Sequence, residues 1–296
     1  MRILLFGKNG QVGWELQRAL APLGEVIALS SNSTEYHADF LEPEKLSNTI
    51  HQINPNIIVN AAAYTAVDKA ESDKDSAQKV NADSVAILAK TAQNIGAWLI
   101  HYSTDYVFNG SGEKAWQEND IPEPLSTYGR TKLVGENAII KNCNKYLIFR
   151  TSWVYANKGS NFAKTMLTLG KKHSQLSVIN DQFGAPTSAE LLADCTAHAI
   201  RVALQDSHVA GLYHLTASGT TTWYEYAKLV FDEAQKLQID LTIENIIPIA
   251  TTEYPLPAKR PHNSRLNTNK FEKTFGLKLP DWKIGIIRMI DETTIK

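Results

Sequence analysis

Between residues 2 and 150, short apolar runs alternate with segments whose apolar residues recur every three or four positions. The runs at 2–6, 25–29, 57–61, 97–102 and 146–150 predict strands, and the periodic segments at 11–21, 43–52, 75–95 and 128–142 predict helices. Ile57-Ile-Val59 and Leu147-Ile-Phe149 do not alternate with polar residues, which suits central strands covered on both faces. Strands separated by helices of this length predict parallel βαβ units and a doubly wound Rossmann-type α/β sheet. A short segment at 37–40 is expected to add an outer strand.

After residue 150 the rhythm changes. Loops lengthen, and helical patterns at 161–170, 188–204, 222–237 and 282–293 mix with short strands near 176–179, 212–215 and 243–247. This predicts a division into a nucleotide-binding domain over 1–151 and a smaller, mainly substrate-binding α+β lobe over 152–296. The helix near 188–204 is expected to pack back on the first sheet.

The first strand runs straight into Gly7-Lys-Asn-Gly10-Gln-Val-Gly13. Gly7 suits a tight turn, Gly10 removes the Cβ between backbone and a diphosphate, and Gly13 allows close helix packing. The helix N-terminus then offers N–H groups and the positive end of its dipole to phosphate. An acidic residue ending the second strand would select NAD, but Leu29-Ser30-Ser31 carries neither acid nor arginine, so NADH and NADPH both remain open. Lys8 is a candidate for a 2′-phosphate. Asp39 and Phe40 stand where the adenine is expected, with Asp39 as a hydrogen-bond acceptor.

The spacing Tyr-x-x-x-Lys places both side chains on one helix face and occurs twice, at Tyr128/Lys132 and Tyr224/Lys228. About one such pair is expected by chance, so spacing decides nothing. Tyr128 follows a strand ending Ser103-Thr104-Asp105, at the edge where ligands bind in open α/β sheets. There Lys132 is expected to lower the Tyr128 pKa and to hold the nicotinamide ribose, while Tyr128 protonates a carbonyl oxygen. Thr104 can hydrogen-bond that oxygen or tune Tyr128. Asp105 and Tyr106 extend the loop over the site, and Trp153 can pack on a sugar face. Tyr224 is read as a helix-surface or packing residue.

The net charge is −1 with acids and bases intermixed, which argues against a nucleic-acid surface. No apolar run reaches the length of a membrane span, and no leader is expected ahead of the first strand. The two cysteines, Cys143 and Cys195, are far apart and are read as reduced thiols of a cytoplasmic protein.

Taken together, Gly7–Gly13, Asn60-Ala-Ala-Ala-Tyr-Thr-Ala-Val-Asp68, Ser103–Gly110, Tyr128–Glu136, Arg150–Tyr155, Asp181–Thr187 and Arg260–Leu266 resemble the extended short-chain dehydrogenase/reductase family along nearly the whole chain. The resemblance implies reduction of the C4 ketone of a dTDP-sugar, dTDP-4-dehydro-L-rhamnose, by NADPH or NADH. It implies Tyr128, Lys132 and Thr104 as the catalytic set. Gly10, Gln11 and Val12 would line the diphosphate, and Ala62, Ala63, Tyr64 and Thr65 the rest of the cofactor. Thr104, Asp105 and Trp153 would face the deoxyhexose. Arg260 is the candidate for the nucleotide diphosphate, with a structural ion pair as its other reading. Relatives form homodimers and some need Mg²⁺, for which no ligand motif is recognisable. The alternatives are another nucleotide-sugar epimerase or reductase, or a non-catalytic regulatory subunit of the kind that binds methionine adenosyltransferase.

Overall fold

The computed structural model describes residues 1–294. The expected strands form at β1 (Arg2–Phe6), β2 (Glu25–Leu29), β3 (Ile57–Asn60), β4 (Trp98–Thr104) and β5 (Tyr146–Thr151). The strand Gly211–His214 completes a six-stranded sheet ordered 211–214, β5, β4, β3, β1, β2, with every pair parallel. Thus a strand from beyond residue 151 returns to the central sheet. β1 sends the chain to β2 on one side, and β3 then pairs on its other side. The order therefore reverses at β1, and a crevice opens above the carboxyl ends of β1 and β3.

Ile57, Ile58, Val59, Leu147, Ile148 and Phe149 are all fully buried, as expected of strands covered on both faces. Each such side chain contributes roughly 1.5–3 kcal/mol on leaving water. On one face the core gathers Ile3, Leu5, Val59 and Phe149 under α1 (Gln11–Leu20), with Leu192 and Ile200 of the helix Ala189–Gln205. That helix packs along α1. On the other face, Leu4, Phe6 and Ile58 pack under α2 (Pro43–Ile53) and the helix over Ser84–Ile95. A third core, around Tyr226, Phe231, Trp282 and Ile290, lies within the second half of the chain. Tyr224 packs half-buried against it, while Lys228 is exposed.

Two expectations change. Residues 37–40 form no strand: His37 Nε2 bonds the Asp39 carbonyl, Asp39 Oδ1 accepts the Leu41 N–H at 2.9 Å, and Phe40 turns inward against Phe6. These side-chain bonds satisfy the segment locally, and β2 stays at the sheet edge. The helix expected at 75–95 is three pieces after α3 (Val67–Ala70): α4 (Lys74–Gln78), a π turn over Lys79–Asp83, and α5 (Ser84–Ile95). The widened turn carries Asn81, a residue of the site.

Candidate active site

The glycine turn is built by exclusion. Gly7 has φ +86°, and a Cβ there would lie 2.6 Å from the backbone of Ala61 and Ala62. A Cβ on Gly13 would lie 2.0 Å from the Gly7 carbonyl oxygen, so α1 packs directly on the turn. At Gly10, by contrast, a Cβ would meet only the Gly7 oxygen, at 3.4 Å. Gly10 caps α1 without a side chain, and the first N–H groups of the helix face the open crevice.

Two neighbouring clefts open along this edge. The first, of 620 Å³, is lined by Gly7, Gly10, Ser30, Asp39 and Phe40 on one side and by Ala62, Ala63 and Tyr64 on the other. Asn9 and Lys69 line it too, whereas Lys8 does not. The second, of 400 Å³, shares Gly10, Ala61 and Ala63 with the first. Its walls include Gln11, Val12 and Thr65, then Thr104, Asp105, Tyr106, Tyr128, Lys132 and Trp153. One continuous trough therefore runs from Ser30 to Trp153. Gly13 sits beneath it as packing.

Tyr128 reaches the trough from α6 (Thr127–Asn142). Ser126 caps this helix by accepting the Gly129 N–H at 3.2 Å, and Glu71 accepts the N–H of Thr127 at 2.7 Å and its hydroxyl at 3.0 Å. Gly129 lets the turn close on the loop after β4, since a Cβ there would lie 2.1 Å from the Tyr106 carbonyl oxygen. The Tyr106 and Tyr128 rings meet edge to face at 5.6 Å. Asn81 ties the cofactor-side loop to α6: it accepts the Tyr64 N–H at 2.9 Å and donates to the Tyr64 carbonyl at 3.1 Å and Thr131 Oγ1 at 3.2 Å.

The Thr104 hydroxyl hydrogen-bonds the Tyr128 phenol and donates to Asp105 Oδ1 at 3.1 Å. Burial holds Tyr128 as the neutral phenol, its pKa pushed up to about 12 against the partial relief of the Thr104 bond. The expectation that Lys132 lowers this pKa is corrected here. Lys132 Nζ lies instead 2.5 Å from the Tyr102 carbonyl oxygen and 3.2 Å from His101 Nε2. Burial pushes Lys132 down to about 8, partly opposed by Glu136 one turn along the helix. Asp105 is pushed up to about 6, again by burial, with the Ser264 and Thr104 hydroxyls opposing.

Trp153 has a left-handed φ of +48°. Its indole stacks on Trp223 at 3.6 Å, and Gly184 leaves room behind it, where a Cβ would stand 2.7 Å from Trp153 Cε2. Arg260, like Lys8, lies outside the trough. It grips Asp68 through two bonds of 2.7 and 3.0 Å and lines an adjoining apolar pocket of 290 Å³ with Phe162, Leu176 and Tyr254. The ion-pair reading thus describes its present contacts.

Sequence reasoning gave no role to Asn60, Asn81, His101, Thr151 or Trp223, although Asn60 and Thr151 stand within the stretches Asn60–Asp68 and Arg150–Tyr155. The spacing of Asn60 and Asn81 from known elements was visible, but their partners lie far along the chain. The trough fits a dinucleotide on two structural grounds. It has an uncapped helix N-terminus behind a Cβ-free turn, and the buried Ser103 and Thr151 hydroxyls in its wall lack a protein partner. Among the described residues, no group of three or more His, Cys, Asp or Glu is placed to hold a metal ion.

This strand order, with its Thr, Tyr and Lys in a trough shared with the glycine turn, marks an oxidoreductase of the extended short-chain dehydrogenase/reductase class. Within that class, the chain belongs to the family described as RmlD substrate binding domain, whose model matches residues 1–295. It is 64% identical over 292 residues to the dTDP-4-dehydrorhamnose reductase of Escherichia coli K12, covering 99% of this chain and 98% of that one. A dTDP-4-dehydrorhamnose reductase crystal structure from Clostridium acetobutylicum superposes with a TM-score of 0.89 at 36% identity, covering 99% and 100% of the two chains. The Bacillus anthracis enzyme of the same name, solved in complex with NADP, superposes with a TM-score of 0.87 at 34% identity, covering 98% and 99%.

Proposed function

We propose that this chain reduces the C4 ketone of dTDP-4-dehydro-L-rhamnose to the alcohol of dTDP-L-rhamnose with NADPH or NADH. The observation that carries the reading is the convergence of Thr104, Tyr128 and Lys132 on the trough that the glycine turn opens. When bound, the nicotinamide supplies the hydride. Gln11 and Val12 hold the diphosphate through backbone N–H groups, while Gly10, whose own N–H goes to the Gly7 carbonyl at 3.0 Å, lets the diphosphate approach; Ser30, Asp39, Phe40 and Ala62–Thr65 line the remaining cofactor.

Tyr128 donates its phenolic proton to the C4 oxygen as that oxygen gains negative charge. A pKa pushed up to about 12 keeps the proton on Tyr128 until it is needed. Thr104, bonded to the Tyr128 phenol, orients it; its single hydroxyl hydrogen, given to Asp105 Oδ1 in the free protein, reaches the same oxygen by leaving that carboxylate. Lys132 holds the ribose hydroxyls from one helical turn away. Asp105, Tyr106 and Trp153 frame the sugar, and the stack on Trp223 fixes the indole face against it. In this reading, residues 1–151 carry the cofactor and most of 152–296 the substrate. Arg260 reaches the nucleotide only by exchanging Asp68 for phosphate oxygens.

The reading extends to a homodimer in the cytoplasm, tested by sedimentation and cell fractionation. Among the described residues, no helix is long and apolar enough to cross a membrane. The direct test is dTDP-4-dehydro-L-rhamnose supplied with NADPH, then NADH, while absorbance at the nicotinamide band is followed. Loss of absorbance with formation of dTDP-L-rhamnose is expected; no oxidation of either cofactor sinks the reading.

A further inference from the structure

Behind Lys132, buried polar side chains link β3, β4 and α6. Asn60 and His101 are register partners on adjacent strands, exposed by 1% and 0%. Asn60 Oδ1 accepts the Ala62 N–H at 3.0 Å, which fixes the orientation of the amide. Its Nδ2 therefore donates to His101 Nδ1, at 3.0 Å. A neutral imidazole has one donor and one acceptor nitrogen, so Nε2 carries the hydrogen. That hydrogen faces Lys132 Nζ at 3.2 Å.

An ammonium has three donors and no lone pair. Opposite Nε2–H it would set donor against donor at a side chain only 2% exposed, where an unmade bond is costly. An amine satisfies every group: its lone pair accepts from His101 Nε2, and one of its hydrogens goes to the Tyr102 carbonyl. A doubly protonated imidazole fails as well, because Nδ1–H would then face the Asn60 Nδ2 hydrogens.

We propose that Asn60 and His101 are positioning residues that bias Lys132 towards the neutral amine before the dinucleotide binds, and that in mildly alkaline solution this amine fraction takes up a proton from water as ribose hydroxyls reach it. The proton adds to the Nζ lone pair; no other bond changes. The proposal rests on the reading of Lys132 as the ribose-binding residue. Acceptor oxygens at Nζ favour the charged form, which reverses the preference set by His101. The surrounding groups agree with this. On α6, Glu136 is claimed by Arg150 of β5 through bonds of 2.6 and 2.9 Å, so its charge is largely answered elsewhere. Tyr128 on α6 stays neutral, Asp105 beyond β4 bonds Thr104, and Asn81 presents an uncharged amide. Burial, the larger cause, lowers His101 well below its usual pKa, so the ring is neutral.

Two measurements test this. In the cofactor-free protein with ¹⁵N-labelled histidine, two-bond ¹H–¹⁵N correlations report each ring's tautomer, and the signal missing from His101→Gln assigns His101. A neutral ring protonated at Nε2 is expected; one protonated at Nδ1, or at both nitrogens, overturns the proposal. In parallel, NADP⁺ binding is followed by calorimetry at pH 8.5 in buffers of different ionisation enthalpy. With Lys132 at about 8 before binding, uptake of roughly three-quarters of a proton is expected. Binding without uptake overturns the proposal. Asn60→Leu frees the tautomer, so its uptake should fall at least twofold, and unchanged uptake counts against Asn60 and His101. If that variant does not fold, the wild-type tautomer still decides. Failure of NADP⁺ to bind at all sinks the reductase reading instead, and the His101 tautomer then judges the Lys132 inference alone.

Discussion

The two ends of the trough are built on opposite principles. The glycine turn is specified by what is missing: at Gly7 and Gly13 a single methyl group would overlap backbone atoms. The Tyr128 end is specified by polar groups that burial makes expensive and that therefore need named partners, among them Thr104, His101 and Asn81. A void can be written into sequence locally, as glycines at fixed spacing. A buried polar network cannot, because its members come from β3, the π turn, β4 and α6. The first end should thus fail through sterics and the second through chemistry.

That contrast is open to attack at several points. The largest effect is expected from Tyr128→Phe, which should lose about 10²–10⁴-fold in kcat while NADP⁺ binding persists. Near-normal turnover would mean that the chemistry sits elsewhere, and Tyr224→Phe would be examined next. Gly13→Ala should act in the other way, by destabilising the fold about 1–3 kcal/mol in urea unfolding and weakening cofactor binding, since its Cβ would meet the Gly7 oxygen. Unchanged stability would show that α1 can shift freely.

Asp105 tests the polar end through pH. Burial raises its folded-state pKa to about 6 from the usual 3.8, so its carboxylate opposes folding above pH 6. That opposition disappears as pH falls from 6 towards 4, because the folded protein then binds the proton first. Asp105→Asn should therefore be more stable than wild type at pH 7 by on the order of 2 kcal/mol, with the difference gone near pH 4. A constant difference across that window would remove the buried-carboxylate account. The smallest effect is expected from Tyr224→Phe: turnover within twofold and stability within about 0.5 kcal/mol.

Much of the fold was legible because its signals are local. Unbroken apolar runs such as Ile57-Ile-Val59 marked central strands, and periodic stretches marked the helices over α1 and α2. The segment at 37–40 misled because an apolar pair beside a histidine resembles a strand, whereas side-chain bonds from His37 and Asp39 hold it as a turn. The π turn at Lys79–Asp83 left no pattern to read, since helical periodicity continues through it. Residues whose motif implies a chemical role were found, while Trp223 in the trough wall and Asn60 and His101 behind it were given none. Arg260 was found by its charge type, but its Asp68 partner stands 192 positions away.

The amino-acid sequence alone determined the order of strands and helices, the glycine turn at the end of β1 and the family, because each is written in neighbouring residues. Only the tertiary structure decided that β1 is the switch point, that one trough joins Ser30 to Trp153, and that Lys132 faces His101 rather than tuning Tyr128. Those outcomes depend on register across the sheet and on burial, which arise when residues distant in the chain exclude water together.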